Sequence, residues 1–268
     1  MVVNCPYCHA GSLKIFERFF RPYYRCGECH LVFSTQLVLD TGYFYKEWMG
    51  TGRERIFAEV LSQLGTAKKG RLLDVGCGGG LLLSMAGKEG WEICGVEPSI
   101  CESRRMHDGV REKVTKDMSE LNPDCFDVVV GVNVIDQVKE VWNFLSEMSG
   151  HLKAGGTMVV RIPNGFLHRW ILRSAELAPG KISGKLQNLA VMHNYGLERK
   201  VIMRMFFDAG LKNVRILPSA PSTGDIYGHG SAAVWLKRFI VLMNWVLVRA
   251  SLGRLVMTPS ILIVASKS

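Results

Sequence analysis

Two sets of residues in this chain have the types and spacing that chemistry needs. The first is Leu72-Leu73-Asp74-Val75-Gly76-Cys77-Gly78-Gly79-Gly80, an apolar run, a glycine turn and a helix start in succession. Glycine has no Cβ, so such a loop lets the backbone press against a nucleoside-bearing ligand. Gly95-Val96-Glu97-Pro98 then puts an acid at the end of a second apolar run, 21 positions past Gly76. That is the spacing at which a carboxylate takes both hydroxyls of a ribose. The second set is Cys5-Pro6-Tyr7-Cys8 and Cys26-Gly27-Glu28-Cys29, two C-x-x-C turns separated by 17 residues. Four thiolates satisfy a tetrahedral Zn²⁺ and leave no open position, which makes the expected site structural. A segment this short has little core of its own, and metal binding would supply its folding energy. His9 and His30, each next to the second cysteine of a pair, are alternative ligands, here read as bystanders. A redox disulfide is the competing reading, disfavoured by the two matching turns.

The elements that must carry these groups are legible from periodicity. Residues 1–34 read as a ribbon, with strands at 13–16 and 23–25 and Leu31-Val32-Phe33 leading out. Residues 35–70 read as a linker and leading helix: Tyr43, Phe44, Tyr45 and Trp48 first, then helical apolar spacing over 53–64. From 71 onward strands alternate with helices. Strands are expected at 71–75, 92–97, weakly within 109–115, at 127–131 and at 157–162. Helices are expected at 81–88, 100–107 and 138–149. Such alternation implies an α/β fold, a parallel sheet with helices on both faces. Beyond Pro163-Asn164 the pattern loosens into a helix at 167–177, a polar, glycine-broken stretch at 180–194, a helix at 198–209, and strands at 214–217 and 260–265. Residues 232–251 read as one helix whose apolar residues are not confined to a stripe. It is either a buried cover or an interfacial helix resting on an acidic membrane, with Lys237, Arg238, Arg249 and Arg254 as anchors. Residues 71–268 thus form one domain with basic insertions at 163–213 and 219–258.

A dinucleotide fingerprint would need a third glycine where Leu81 stands. An acid just ahead of the turn, as in Asp74-Val75-Gly76-Cys77-Gly78-Gly79-Gly80, instead resembles motif I of class I S-adenosylmethionine-dependent methyltransferases. The resemblance continues in order and at proper spacing. Lys116-Asp117-Met118 is similar to the adenine-binding acidic step. Phe126 to Asp136 is similar to the fourth strand and its loop. Leu152-Lys153-Ala154-Gly155-Gly156-Thr157-Met158-Val159-Val160 is similar to the helix end, turn and fifth strand. It covers roughly residues 50 to 165. It implies a seven-stranded Rossmann-like methyltransferase sheet whose last strand runs antiparallel, preceded here by a small zinc ribbon. It also implies roles for bound S-adenosylmethionine. Gly76 and Gly78 receive its methionine and ribose portions, and Glu97 takes the ribose hydroxyls. Asp117 accepts from the adenine amine beside Met118, Asn133 sits near the methyl group, and Asp74 orders the loop by accepting backbone N–H bonds. Turn capping by Glu97 and helix N-capping by Asp117 are the bland alternatives.

A base is needed only if the acceptor is a hydroxyl, a carbon acid or a protonated amine. Many relatives carry Glu-His in the loop after strand four, where this chain has Asp136-Gln137. The shorter acid and the missing histidine move the search outward. His193 and Tyr195 in His193-Asn194-Tyr195-Gly196, and Asp225, Tyr227 and His229 in a glycine-rich lid-like stretch, are further candidates. Asp136 and His193 lead.

The chain has 268 residues, 48% of them hydrophobic, enough for one large domain and a small module. The first five residues lack the basic start and apolar core of a signal peptide, and no run reaches the length of a spanning helix. The expected location is cytoplasmic, with contact at the inner membrane face as the variant. Charge is lopsided: 17 basic against 20 acidic groups over residues 1–150, then 16 against 4 over 151–268. An excess of that size favours an anionic partner. The zinc ribbon, the core, Ile162-Pro163-Asn164 and the basic insertions together resemble bacterial methyltransferases associated with cell-surface sugar or lipid conjugates. The expected acceptor is a saccharide, its nucleotide- or lipid-linked form, or another small anionic molecule. The alternative is an RNA base methyltransferase, suggested by the interleaved Arg18, Phe19, Phe20, Arg21, Tyr23, Tyr24 and Arg25. A catalytically inactive zinc-ribbon binding protein is the third reading.

Overall fold

The computed structural model describes residues 3–37, 53–65, 69–99, 106, 109–219 and 256–268. The helices expected at 100–107 and 232–251, the aromatic linker residues and the lid-like Asp225, Tyr227 and His229 lie outside the described residues, apart from Met106.

Among the described residues, two sheets organise the chain. The larger has seven strands: β5 (Arg71–Val75), β6 (Glu92–Val96), β7 (Val114–Thr115), β8 (Phe126–Val132), β9 (Leu152–Pro163), β11 (Leu211–Ser219) and β12 (Ser260–Lys267). Their spatial order is β11-β12-β9-β8-β5-β6-β7. Strands β5 to β9 pair in parallel, and β12 inserts antiparallel between β9 and β11. Strand β8 reads Phe-Asp-Val-Val-Val-Gly-Val because a central parallel strand is covered on both faces and has no solvent side to mark with alternating polar residues.

The helices follow the apolar spacing. In α1 (Arg53–Ser62) the buried positions are Ile56, Phe57, Val60 and Leu61. In α2 (Leu81–Lys88) they are Leu82, Leu83 and Ala86, and in α3 (Val141–Gly150) Val141, Leu145, Met148 and Ser149. After β9 come α4 (Gly165–Leu177), α5 (Gly180–Leu189) and α6 (Arg199–Asp208). Three local expectations are corrected. Strand β9 starts at Leu152, five residues early, because a register shift opposite Phe126–Val128 absorbs the Ala154-Gly155-Gly156 turn within the strand. The third strand shrinks to β7, two residues preceded by a 3₁₀ turn at Arg111–Lys113. Residues 180–189 form a helix despite Gly180 and Gly184. Packing of α5 against α4 offsets the cost of about 1 kcal/mol per helical glycine.

The second sheet contains β1 (Val3–Asn4), β2 (Gly11–Arg18), β3 (Arg21–Cys26) and β4 (Val32–Ser34). Its fifth strand, β10 (Tyr195–Gly196), comes from the other end of the chain, with Tyr195 opposite Phe33 and Gly196 opposite Val32. The cores are continuous as well. Cys5, Cys26, Cys29, Leu31 and Phe33 pack in one cluster with Tyr195, Leu197, Val201 and Ile202. The first cysteine turn is seated by Tyr7, which stacks on Trp142 at 6.0 Å and bonds Asp208 through its hydroxyl.

Candidate functional site

The carboxyl ends of β5, β6, β7 and β8 converge on one crevice, the position where open α/β sheets bind ligands. Gly76, Gly78 and Gly80 have φ values of 74°, 52° and 74°, a left-handed region costly for any other residue. A Cβ on Gly76 would stand 2.5 Å from Val134, so the loop after β8 lies directly against the glycine turn. The amides of Gly76, Cys77, Gly78 and Gly80 all have partners. Gly76 and Cys77 both donate to the Val96 carbonyl, at 2.8 and 3.1 Å, and Gly80 donates to Cys77. Gly78 donates to Glu97 Oε2 at 2.8 Å, while Ser99 donates to Glu97 Oε1 at 2.8 Å. Both oxygens of a buried carboxylate are therefore steered by backbone amides.

Asp74 does not take the loop amides that the sequence suggested for it, because Val96 and Glu97 take them. It lies buried beneath the turn. Burial pushes its carboxyl up to about 8, with the charge of Glu97 adding to the effect. Asp117 is exposed and caps the 3₁₀ turn Met118–Glu120. It accepts from Ser119 N–H at 2.8 Å while Glu120 accepts from Asp117 N–H at 3.2 Å, and its pKa is lowered chiefly by the Ser119 bond. The capping alternative describes its present bonding, and Met118, next in the chain, is buried in the core.

Asn133 ends β8 with φ 57°. Its N–H donates to the Arg161 carbonyl at 2.8 Å, and its Oδ1 accepts from Arg161 Nη1 at 2.8 Å. Arg161 is 2% exposed, and its Nε donates to Ser219 Oγ, which in turn donates to Glu59. This arginine is a site residue that the sequence reading passed over. Its signal was a single charge inside the apolar run Thr157-Met158-Val159-Val160-Arg161-Ile162.

Asp136 and His193, 57 positions apart, meet. His193 Nδ1 and Asp136 Oδ2 are 2.5 Å apart, and both residues are buried. With Nδ1–H donating to the carboxylate, Nε2 becomes the basic nitrogen. A histidine from the segment before β10 thus lies against the acid of the loop after β8. Asn194 Nδ2 donates to the Gln137 carbonyl at 2.6 Å and Tyr195 N–H to the Asp136 carbonyl at 3.2 Å, so the two segments are stitched together. Tyr195 itself turns away: its hydroxyl bonds the Lys139 carbonyl and burial pushes its pKa up to about 12. His168 supports the same region. Its Nδ1 accepts from Val191 N–H at 3.2 Å, so Nε2–H donates to the Pro259 carbonyl at 2.8 Å, and burial holds its pKa down to about 4.

The sulfur atoms of Cys5, Cys8, Cys26 and Cys29 all lie within 4.8 Å of one another, with 3.6 Å between Cys5 and Cys29 and 3.4 Å between Cys8 and Cys26. Those separations suit tetrahedral thiolates at about 2.3 Å from a zinc ion. His9 and His30 stay outside the cluster, both in left-handed backbone just after their turns.

A family model described as a methyltransferase domain matches residues 48–215. The chain belongs to that family. It is similar to a ubiquinone biosynthesis O-methyltransferase of Bradyrhizobium sp. (strain ORS 278), 33% identical over 102 residues, which are 35% of this chain and 40% of that protein. It is also similar to the mitochondrial ubiquinone biosynthesis O-methyltransferase of Rattus norvegicus, 31% identical over 107 residues, 35% and 31% of the two chains. The chain thus spans less than half the length of these two curated relatives. A SAM-dependent methyltransferase from Archaeoglobus fulgidus shares the fold at TM-score 0.55 and 17% identity, covering 85% of this chain and all of that one. Phosphoethanolamine N-methyltransferase 2 of Haemonchus contortus, solved with S-adenosyl-L-methionine, shares it at TM-score 0.53 and 18% identity, over 87% and 58% of the chains. The seven-stranded order seen here is that shared fold.

Proposed function

We propose that this protein transfers a methyl group from S-adenosylmethionine to a hydroxyl of a small or conjugated anionic acceptor, such as a saccharide or lipid-linked sugar. The observation that carries the reading is the buried Asp136–His193 pair, in which Asp136 follows two residues after the Val134 that lies against Gly76. The donor binds against Gly76 and Gly78, with Glu97 on the ribose hydroxyls, Asp117 and Met118 at the adenine, and Asn133 near the methionine portion. When bound it would supply an electrophilic methyl on a sulfonium, whose C–S bond would break as the C–O bond forms, with S-adenosylhomocysteine as the leaving group. His193 Nε2 removes the acceptor hydroxyl proton as the new C–O bond forms. Asp136 holds the ring tautomer and stabilises the imidazolium that results. Arg161 fixes Asn133 from behind. Neutral Asp74 fills the space beneath the turn without adding a second negative charge beside Glu97.

Oxygen as the acceptor atom is supported by the need for a base and by the O-methyltransferase names of the curated relatives. The basic excess over residues 151–268 supports an anionic acceptor. Four of the seven side chains that suggested RNA are spent internally, while Phe19 and Phe20 stay exposed. Arg18 bonds the Met192 carbonyl, Arg21 the Gln36 carbonyl and Asn194, Arg25 ion-pairs with Glu198, and Tyr23 is buried. The cysteine cluster holds a structural Zn²⁺, whose four ligands leave it no part in the reaction. Among the described residues no helix is long and apolar enough to cross a membrane, and the 232–251 segment on which the membrane variant rests lies outside them.

The test is methyl transfer from labelled donor into a fractionated cell extract. Label in nucleotide-sugar or glycolipid fractions, lost in His193→Ala, is the expected result. Label in RNA, or donor binding with no turnover in any fraction, would overturn it.

A further inference from the structure

We propose that Tyr23 is a positioning residue for His193, so that the cysteine ribbon sets the geometry of the transfer site without touching the reacting atoms. The proposal rests on the reading of His193 as the base.

The contacts are specific to the backbone that carries the imidazole. Tyr23, on β3, sends its hydroxyl into the segment before β10, where it lies 2.7 Å from the His193 carbonyl and 3.1 Å from the Met192 carbonyl. Its ring is 1% exposed and stacks on Phe16 with centroids 5.1 Å apart, so the hydroxyl has no freedom to wander. Burial raises its pKa, which keeps it a donor. Neighbouring ribbon groups cover the adjacent residues. Arg18 Nη1 donates to the Met192 carbonyl at 3.0 Å, Arg21 Nη2 to Asn194 Oδ1 at 3.1 Å, and Ser34 N–H to the Asn194 carbonyl at 3.1 Å. Pairing of β4 with β10 continues the register one step further.

Three consecutive residues, Met192 to Asn194, are therefore held by donors from the ribbon. The side chain of the middle residue must reach Asp136 from a fixed point on that backbone. A hinge of a few tenths of an ångström there would move Nε2 by more, since the ring sits at the end of the lever. Because the ribbon's folding energy would come from its four sulfurs, the support is independent of donor or acceptor binding. Arg25, by contrast, reaches Glu198, a residue shared with Arg169 and outside the Met192–Asn194 segment.

The test uses the full-length, metal-loaded protein. The far-downfield proton resonance of the His193 ring N–H is assigned by its loss in Asp136→Asn. In Tyr23→Phe that resonance should shift or broaden, kcat should fall about tenfold, the worth of one such bond, and affinity for S-adenosylhomocysteine should stay within about twofold. Arg18→Met, which removes a bond to the same segment, should act in the same direction, and it decides the matter if Tyr23→Phe does not fold. Arg25→Gln should leave resonance and kcat unchanged. An unaltered resonance and kcat in both Tyr23→Phe and Arg18→Met would overturn the positioning role. A wild-type protein without turnover on any acceptor would instead overturn the functional reading, and the resonance would still report on Tyr23.

Discussion

The proposed donor side and the proposed base side of this site are built in opposite ways. On the donor side the partners are close along the chain: Gly78 and Glu97 are 19 positions apart, and Glu97 and Ser99 only two. On the base side Asp136 and His193 are 57 apart, and Tyr23 reaches His193 across 170. The core of the donor side is one strand–turn–helix–strand unit, so the geometry of Gly76, Gly78 and Glu97 follows from local backbone rules, while Asp117 and Asn133 join it from the ends of β7 and β8. The base side exists only after the ribbon, α4 and the segment before β10 have packed. A methyl donor shared by a whole family can be served by a fixed local unit. An acceptor particular to one protein is served by groups recruited from wherever the fold brings them.

That contrast can be broken most forcefully at the cysteines. Cys26→Ser, or removal of metal with a strong chelator, should unfold the ribbon and take methyl transfer below detection, read by metal analysis, circular dichroism and turnover together. Retained turnover without metal would show that the base side stands without the ribbon. Next in size are the base residues. His193→Ala and Asp136→Asn should each lower kcat by about 10²- to 10⁴-fold, the usual worth of a general base, while calorimetry finds S-adenosylhomocysteine bound as in wild type. Equal losses in affinity would merge the two sides that the fold separates.

Glu97→Ala should do the converse. Donor affinity should fall about 10- to 100-fold, as expected for bonds to a buried charge, with kcat at saturating donor changed little. The smallest effect concerns Asp74. Its folded-state pKa of about 8 lies above the ordinary carboxylate value, so the neutral acid is the form the fold accepts. The stability tied to that proton is complete at acid pH, where folded and unfolded chains both hold it. It is lost as pH rises through about 8. Thermal unfolding scans between pH 6 and 9 should show a falling midpoint in wild type and a flatter profile in Asp74→Asn. Parallel profiles would mean that the carboxyl is already ionised at neutral pH.

The same contrast explains what could be read in advance. Strands β5, β6 and β8, helices α1, α2 and α3, and the crevice at the strand ends were all foreseeable, because each is marked by an apolar period or a glycine turn within about ten residues. The four cysteines were foreseeable for the same reason, each pair being a local turn. Asp136 and His193 could be named singly, from the loop after strand four and from the His-Asn-Tyr-Gly step, but nothing in their spacing joined them. Arg161 and His168 were not singled out. A charge in an apolar strand and a histidine on a helix acquire meaning only from Asn133, Ser219, Val191 and Pro259, which approach from other elements. Helix α5 was hidden by its glycines, whose cost is offset by a neighbour that the local composition does not mention.

The order of residues by itself determined the parallel α/β framework, the glycine turn with its acid, and the two thiol turns, because hydrophobic period, left-handed backbone and short ligand spacing all act within a few residues. Tertiary structure alone decided that the ribbon completes a sheet with β10 and that an imidazole reaches Asp136. Those outcomes depend on which distant surfaces bury one another, and that is a property of the packed whole.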